Sequence, residues 1–215
     1  MDPLLTLITV FAVFIPALIL PGPDFVAIVR SSMSHGTRAG LLTTVGVSLG
    51  LCFYASLSLL SLSALLVKYQ WLTWTVRILG GSYLIYLGIR LLLTQAQDRQ
   101  VHGSQVHAGN ELSSKRALLF GFFVTLTNPK AIVLFASVFA TAVTPSTPTW
   151  LMILMIALVT ALSLSWYSFV SIFMSSDLVA VRFQRARHWI ERAAGGCFIL
   201  LGGKVLADAR NPISS

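Results

Sequence analysis

Long apolar runs separated by short polar stretches recur along the chain, and they predict an all-α integral membrane protein. A helical span needs about 20 mainly apolar residues at roughly 1.5 Å rise each. Six runs meet that length, at about residues 4–29, 39–67, 74–94, 115–143, 150–174 and 190–209. Between them lie Lys68-Tyr69-Gln70-Trp71, whose aromatic residues suit a membrane interface, and the proline-bounded turn Thr144-Pro145-Ser146-Thr147-Pro148-Thr149. Ser175 to Trp189 reads as a basic connection. Gln95 to Ser114, rich in Gln, His, Gly and Ser, is the one long polar stretch and reads as a solvent loop. The expected organisation is one transporter-sized domain over 1–215: a three-helix half at 1–94, a cytoplasmic loop at 95–114 and a second half at 115–215.

Two of the runs are interrupted. Pro21-Gly22-Pro23 stands inside the first, and Asp24, the only charged side chain between Leu4 and Val29, follows directly. Proline removes a backbone donor and clashes with the preceding turn, so the helix must break or kink there. Unpaired backbone is tolerated at membrane depth only against protein or a wet cavity, so the break points inward. The fourth run carries a matching interruption, Thr125-Leu126-Thr127-Asn128-Pro129-Lys130, with a charge again directly after the proline. An intramembrane ionisable residue at such a break is a functional-site hypothesis by default. The simpler reading of the first break is a proline kink with Asp24 capping the second half-helix.

Composition narrows the class. Of 215 residues, 56% are hydrophobic and 10% charged, which leaves no room for a second, soluble domain. The formal charge of +8 sits beside the apolar runs, so it reads as a topology signal and not as a nucleic-acid surface. Putting the connections after spans one, three and five on one side gathers ten basic residues: Arg30, Arg38, Arg90, Arg99, Lys115, Arg116, Arg182, Arg185, Arg187 and Arg192. The other side holds Lys68, Lys204 and Arg210. Both termini are then expected outside the cytoplasm. No Lys or Arg precedes Arg30, so the first run reads as an uncleaved span. Cys52 and Cys197 lie in apolar stretches without CxxC spacing and read as packing residues.

The runs also repeat. Arg77-Ile78-Leu79-Gly80-Gly81-Ser82-Tyr83 aligns with Arg192-Ala193-Ala194-Gly195-Gly196-Cys197-Phe198 at an offset of 115, and Gly88 then aligns with Gly203. The two breaks align at an offset of 106, which superposes Pro23-Asp24 on Pro129-Lys130. Two three-span halves enter the membrane from opposite sides, and paired interrupted segments in such halves point to a transporter's midplane site. Asp24 and Lys130 then occupy equivalent positions near the axis. They form a salt bridge that locks the halves, or they face a zwitterion: Asp24 toward its ammonium or a proton, Lys130 and the freed amides toward its carboxylate. Thr125, Thr127 and Asn128 offer neutral hydrogen bonds, and Phe25, Phe135 and Trp166 offer walls. Thr160, Ser163, Tyr167 and Ser171 share one helical face, as a polar path or as interhelical glue. Gly36/Gly40 and Gly46/Gly50 have the spacing of close helix approach, within the chain or in a homodimer.

Other classes fit less well. The histidines, His35, His102, His107 and His188, fall in predicted connections, so no nucleophile and base come together and no enzyme is expected. Asp24 has no Cys, His or carboxylate neighbours of the kind a metal path needs, so export of a metal ion or another small solute is the alternative reading. No cofactor is expected.

Pro21-Gly22-Pro23-Asp24-Phe25 near the N-terminus, with Leu126-Thr127-Asn128-Pro129-Lys130-Ala131-Ile132 opening the second half, resembles the LysE/RhtB family of amino-acid exporters. Asp24-Phe25 and the run Asn128 to Phe139 look most like its homoserine/threonine efflux branch. The resemblance covers essentially the whole chain. It implies export of amino acids across the bacterial inner membrane, driven by a proton or other cation gradient. The mechanism expected is alternating access around the two breaks, with Asp24 as coupling group.

Overall fold

The computed structural model describes residues 3–62, 70–93, 113–142, 147–173 and 177–209, and helices make up nearly all of them. In chain order the helices are α1 (Pro3–Ile19), α2 (Pro23–Ser56), α3 (Gln70–Leu93), α4 (Ser114–Leu126), α5 (Pro129–Ala142), α6 (Thr149–Phe173) and α7 (Asp177–Ala209). A π-helical turn, Leu57–Leu62, continues α2. Thr149–Phe173 is long and apolar enough to cross a membrane, and Pro23–Leu59, which reverses at Gly36, contains a stretch that is. Ser114–Leu126 with Pro129–Ala136, bent by 56°, is a third candidate when taken as one span. Large apolar side chains such as Ile8, Leu49, Phe53, Ile153 and Phe169 are exposed, while Thr43, Thr44, Ser48, Ser163 and Ser171 are buried. That distribution suits a helical bundle whose solvent is lipid.

Gly36 is where the first and second predicted spans meet. Its φ of 82° and ψ of 166° interrupt α2, a conformation open essentially to glycine alone. The hydroxyl of Thr43 donates to that of Ser31 at 3.0 Å, although twelve residues of straight helix would separate them by about 18 Å. The chain therefore doubles back at Gly36, giving α2 two antiparallel arms, 23–35 and 37–56. Gly36 itself has no neighbour within 4 Å of where a Cβ would sit, so its role is conformational and not one of close helix approach.

Gly40, Gly46 and Gly50 supply the close approaches. A Cβ on Gly46 would overlap the backbone of Leu118, and one on Gly50 would crowd Thr125, so the second arm of α2 runs alongside α4 in the same direction. On its other side, Thr44 donates to the Tyr167 carbonyl of α6 at 3.2 Å, and Ser32 of the first arm meets Ser171 at 2.9 Å. The stripe expected on α6 thus faces α2. Ser163, Tyr167 and Ser171 are buried there, and Thr160, half-buried, bonds back to the Ile156 carbonyl.

Helices α3 and α7 cross on glycines, but in a register different from the expected one. Gly81 faces Gly202 and Gly88 faces Gly195, so the two helices are antiparallel and the contacts exchange under a shift of 114. Gly196 and Gly203, which alignment by residue identity at 115 pairs with Gly81 and Gly88, have nothing within 4 Å of an added Cβ. Tandem glycines leave such an alignment free to slip by one, whereas of the two pairs on α7 only Gly195 and Gly202 lie on the facing side. A second departure is the basic stretch before Trp189: α7 already begins at Asp177. No glycine or proline stands between Asp177 and Ala194, so nothing in that stretch stops a helix. His188 consequently lies in a helix and not in a connection; His35 is the last residue before the reversal at Gly36, and His102 and His107, with nearly all of the polar loop, fall outside the described residues.

Candidate functional site

The two interruptions meet. At the first, α1 ends at Ile19, Gly22 is the extended N-cap and Pro23 opens α2, the position where a missing N–H costs least. Pro21 has no N–H to give to the Ala17 carbonyl one turn back, and the break withholds the Leu20 carbonyl from the next turn. The Lys130 ammonium fills both vacancies in the ladder, donating to the Ala17 oxygen at 2.6 Å and toward the Leu20 oxygen at 3.4 Å. A cation at a helix C-terminus is also favoured by the helix dipole.

At the second interruption the roles reverse. Pro129 again opens a helix, and the Lys130 amide donates to the Asn128 side-chain oxygen at 3.0 Å instead of to the backbone of α4. The Leu126 carbonyl, left without its helical donor, receives the Tyr54 hydroxyl at 2.7 Å. The other face of the Asn128 amide donates to one oxygen of Asp24 and the Thr125 hydroxyl donates to the other, each at 3.1 Å. Asp24, Thr125 and Asn128 are 6%, 0% and 3% exposed. A buried carboxylate is tolerable only when its lone pairs are engaged, and here both oxygens are.

The expected pair of charges is therefore present in an unexpected arrangement. Asp24, from the first break, is held by side chains of the second; Lys130, from the second, is held by backbone of the first. Neither takes the other as its hydrogen-bond partner. Thr125 and Asn128, expected to offer neutral hydrogen bonds, are brought onto Asp24 itself. Thr127 is directed elsewhere: it is exposed and bonds back to the Phe123 and Val124 carbonyls. Phe135 is buried against Phe14 and stacks on Tyr54, so it reaches the site through the tyrosine that caps α4. Phe25 is buried in the same apolar core, and Trp166 stacks on Phe169 within α6. Tyr54 and the carbonyls of Ala17 and Leu20 join the site without having been expected there. Ala17 is detectable in principle, since a proline four residues downstream leaves a carbonyl without its donor; nothing local singles out Tyr54.

Residues 15–209 match the family model described as LysE type translocator. The chain belongs to this family. It is 30% identical over 200 residues to a protein named threonine efflux protein from Escherichia coli K12, covering 93% of this chain and 96% of that one. A threonine efflux protein from Salmonella typhimurium is 31% identical over 195 residues, 90% of this chain and 94% of its own length. A leucine efflux protein from Enterobacter is 28% identical over 184 residues, 85% and 84% of the two chains. No solved structure matches. As a LysE-type translocator the chain is a multi-pass inner-membrane transporter and not an enzyme.

Proposed function

We propose that this translocator exports neutral amino acids, of the threonine or homoserine kind, from the cytoplasm by proton antiport with alternating access. The observation that carries the reading is the junction of the two breaks, where one carboxylate and one ammonium lie together with backbone that the prolines leave unsatisfied. The junction accommodates one carboxylate and one ammonium, the two charged groups of a zwitterion. Relatives named for threonine and leucine efflux, similar over most of their length, support an amino acid over a metal ion as the cargo.

The wider architecture agrees with that reading. The second arm of α2 is parallel to α4, and α3 is antiparallel to α7, as six alternating spans require. The glycine contacts of α3 and α7 exchange under one shift, as a two-fold relation between inverted halves requires. Asp24 is the coupling group in this scheme, since the bonds to its carboxylate come from the opposite break and would be exchanged when the halves move. Termini on the periplasmic side follow from the distribution of Lys and Arg.

The test is the free amino-acid profile inside and outside bacteria that express the chain and are loaded with mixed dipeptides, compared with cells expressing Asp24→Asn. Faster exit of one or a few amino acids with the intact chain, lost in the variant, is the expected result. A profile that coincides with that of cells lacking the protein, with the intact chain present in the membrane, would refute amino-acid export. Full gradient-driven export by Asp24→Asn at every pH would remove Asp24 as the coupling group.

A further inference from the structure

Resting on the amino-acid reading, we infer that the substrate's charges are recognised not by Asp24 and Lys130 but by the groups these two side chains occupy. The Asn128 amide and Thr125 hydroxyl already hold a carboxylate, and the Ala17 and Leu20 carbonyls already hold an ammonium. The site is filled by its own side chains in the positions an α-amino acid would take. A substrate carboxylate replaces Asp24 on Thr125 and Asn128; a substrate ammonium replaces Lys130 on the end of α1.

Three features of the site argue for this assignment. First, the seats are chemically matched to the groups that fill them. Two neutral donors converge on the Asp24 oxygens, and two backbone acceptors, one of them orphaned by Pro21, converge on the Lys130 nitrogen. Second, each seat belongs to one break and its occupant to the other, so displacing the occupant unties the halves from one another. A substrate that bound Asp24 and Lys130 where they stand would leave those ties in place. Third, the donors and acceptors of the seats are neutral. Releasing a zwitterion from neutral groups is compensated when Asp24 and Lys130 return to them, and nothing buried stays unpaired.

The two assignments predict opposite responses to substrate analogues. Purified chain in proteoliposomes is assayed for export of labelled threonine, with threoninamide, which keeps only the ammonium, and N-acetylthreonine, which keeps only the carboxylate, as competitors. If the side chains are occupants, Lys130→Met strengthens competition by threoninamide by about tenfold and leaves N-acetylthreonine within about threefold. In an Asp24→Ala background, where the seat stands vacant and competition is read as displacement of bound labelled threonine, Thr125→Val weakens N-acetylthreonine by about tenfold, the loss expected for one hydrogen bond to a charge, and spares threoninamide. Thr125→Ser, which restores a hydroxyl, restores that competition and so separates a lost donor from a damaged fold. The inference is overturned if Lys130→Met weakens N-acetylthreonine tenfold, or if Asp24→Asn, read by displacement of bound labelled threonine because its export is expected to be lost, weakens threoninamide tenfold, because the side chains would then be the ligands themselves. It is also overturned if Thr125→Val lowers both competitors equally. Absence of amino-acid export by the intact chain is a different result: it removes the functional reading, and the seats with it.

Discussion

Gly88 of α3 and Gly195 of α7 meet backbone to backbone: a Cβ on Gly88 would lie 2.6 Å from the Gly195 carbonyl oxygen, and one on Gly195 would lie 2.9 Å from that of Gly88. Backbone cannot yield to a methyl group as the end of a flexible side chain can. Gly88→Ala and Gly195→Ala are each expected to destabilise the protein by about 1–3 kcal/mol, the cost of overpacking a close contact. Gly196→Ala and Gly203→Ala should leave stability unchanged or slightly raised, since both positions open onto free space. Thermal unfolding of the four variants in detergent checks the register. Equal losses at all four would show that α3 and α7 do not cross where described.

Gly36→Ala tests the reversal within α2. No side chain is crowded there, so any cost comes from forcing an L residue to a φ of 82° with extended ψ. The expected loss is about 1–3 kcal/mol, read as a lower melting temperature. An unaltered melting temperature would mean the chain reverses elsewhere.

Tyr54→Phe removes one hydroxyl and keeps the ring that stacks on Phe135. The Leu126 carbonyl then loses the donor that replaced its helical one. A loss of about 1 kcal/mol is expected, together with slower export, because α4 ends against the residues that hold Asp24. Stability and transport are read on the same preparation; wild-type values of both would show that the bond contributes nothing.

Thr125 and Thr127 offer a comparison two residues apart. Thr125→Ala should lower the rate of amino-acid export by about tenfold, and Thr127→Ala should stay within about twofold of the intact chain, since its hydroxyl only returns to its own helix. Efflux from dipeptide-loaded cells at matched expression decides it, and equal effects would contradict the placement of Asp24 against Thr125.

Much of this site is legible in the sequence because proline acts locally. Pro21, Pro23 and Pro129 each remove a donor whose loss can be counted on the sequence alone, so the positions of both breaks and the two charges beside them follow. The partners of those charges do not. Asp24 is bonded more than a hundred residues away, and no local rule chooses Thr125 over Thr127 when both hydroxyls lie on the same short segment. Their separation depends on which side of α4 turns toward α2, which Gly121 on α4, one turn before Thr125, sets together with Gly46 and Gly50 on α2. Gly36 shows the converse: its spacing from Gly40 suggests helix contact, but the backbone conformation it adopts is a response to the reversal of the whole chain. The arginines between Asp177 and Trp189 read as a connection by charge, yet charge alone does not end a helix, and α7 runs through them.

The bend of 56° between α4 and α5 has a mechanical consequence. Pro129 has no donor to give, and the Lys130 amide does not reach the Leu126 carbonyl, so the backbone ladder is interrupted there and side chains make up the difference: Asn128 to the Lys130 amide, Tyr54 to the Leu126 carbonyl. A change in the angle at this joint breaks no helix. Its resistance is set by a few exchangeable bonds, each worth about 1 kcal/mol, so the stiffness of this joint is adjustable by single side chains without unwinding the helix on either side.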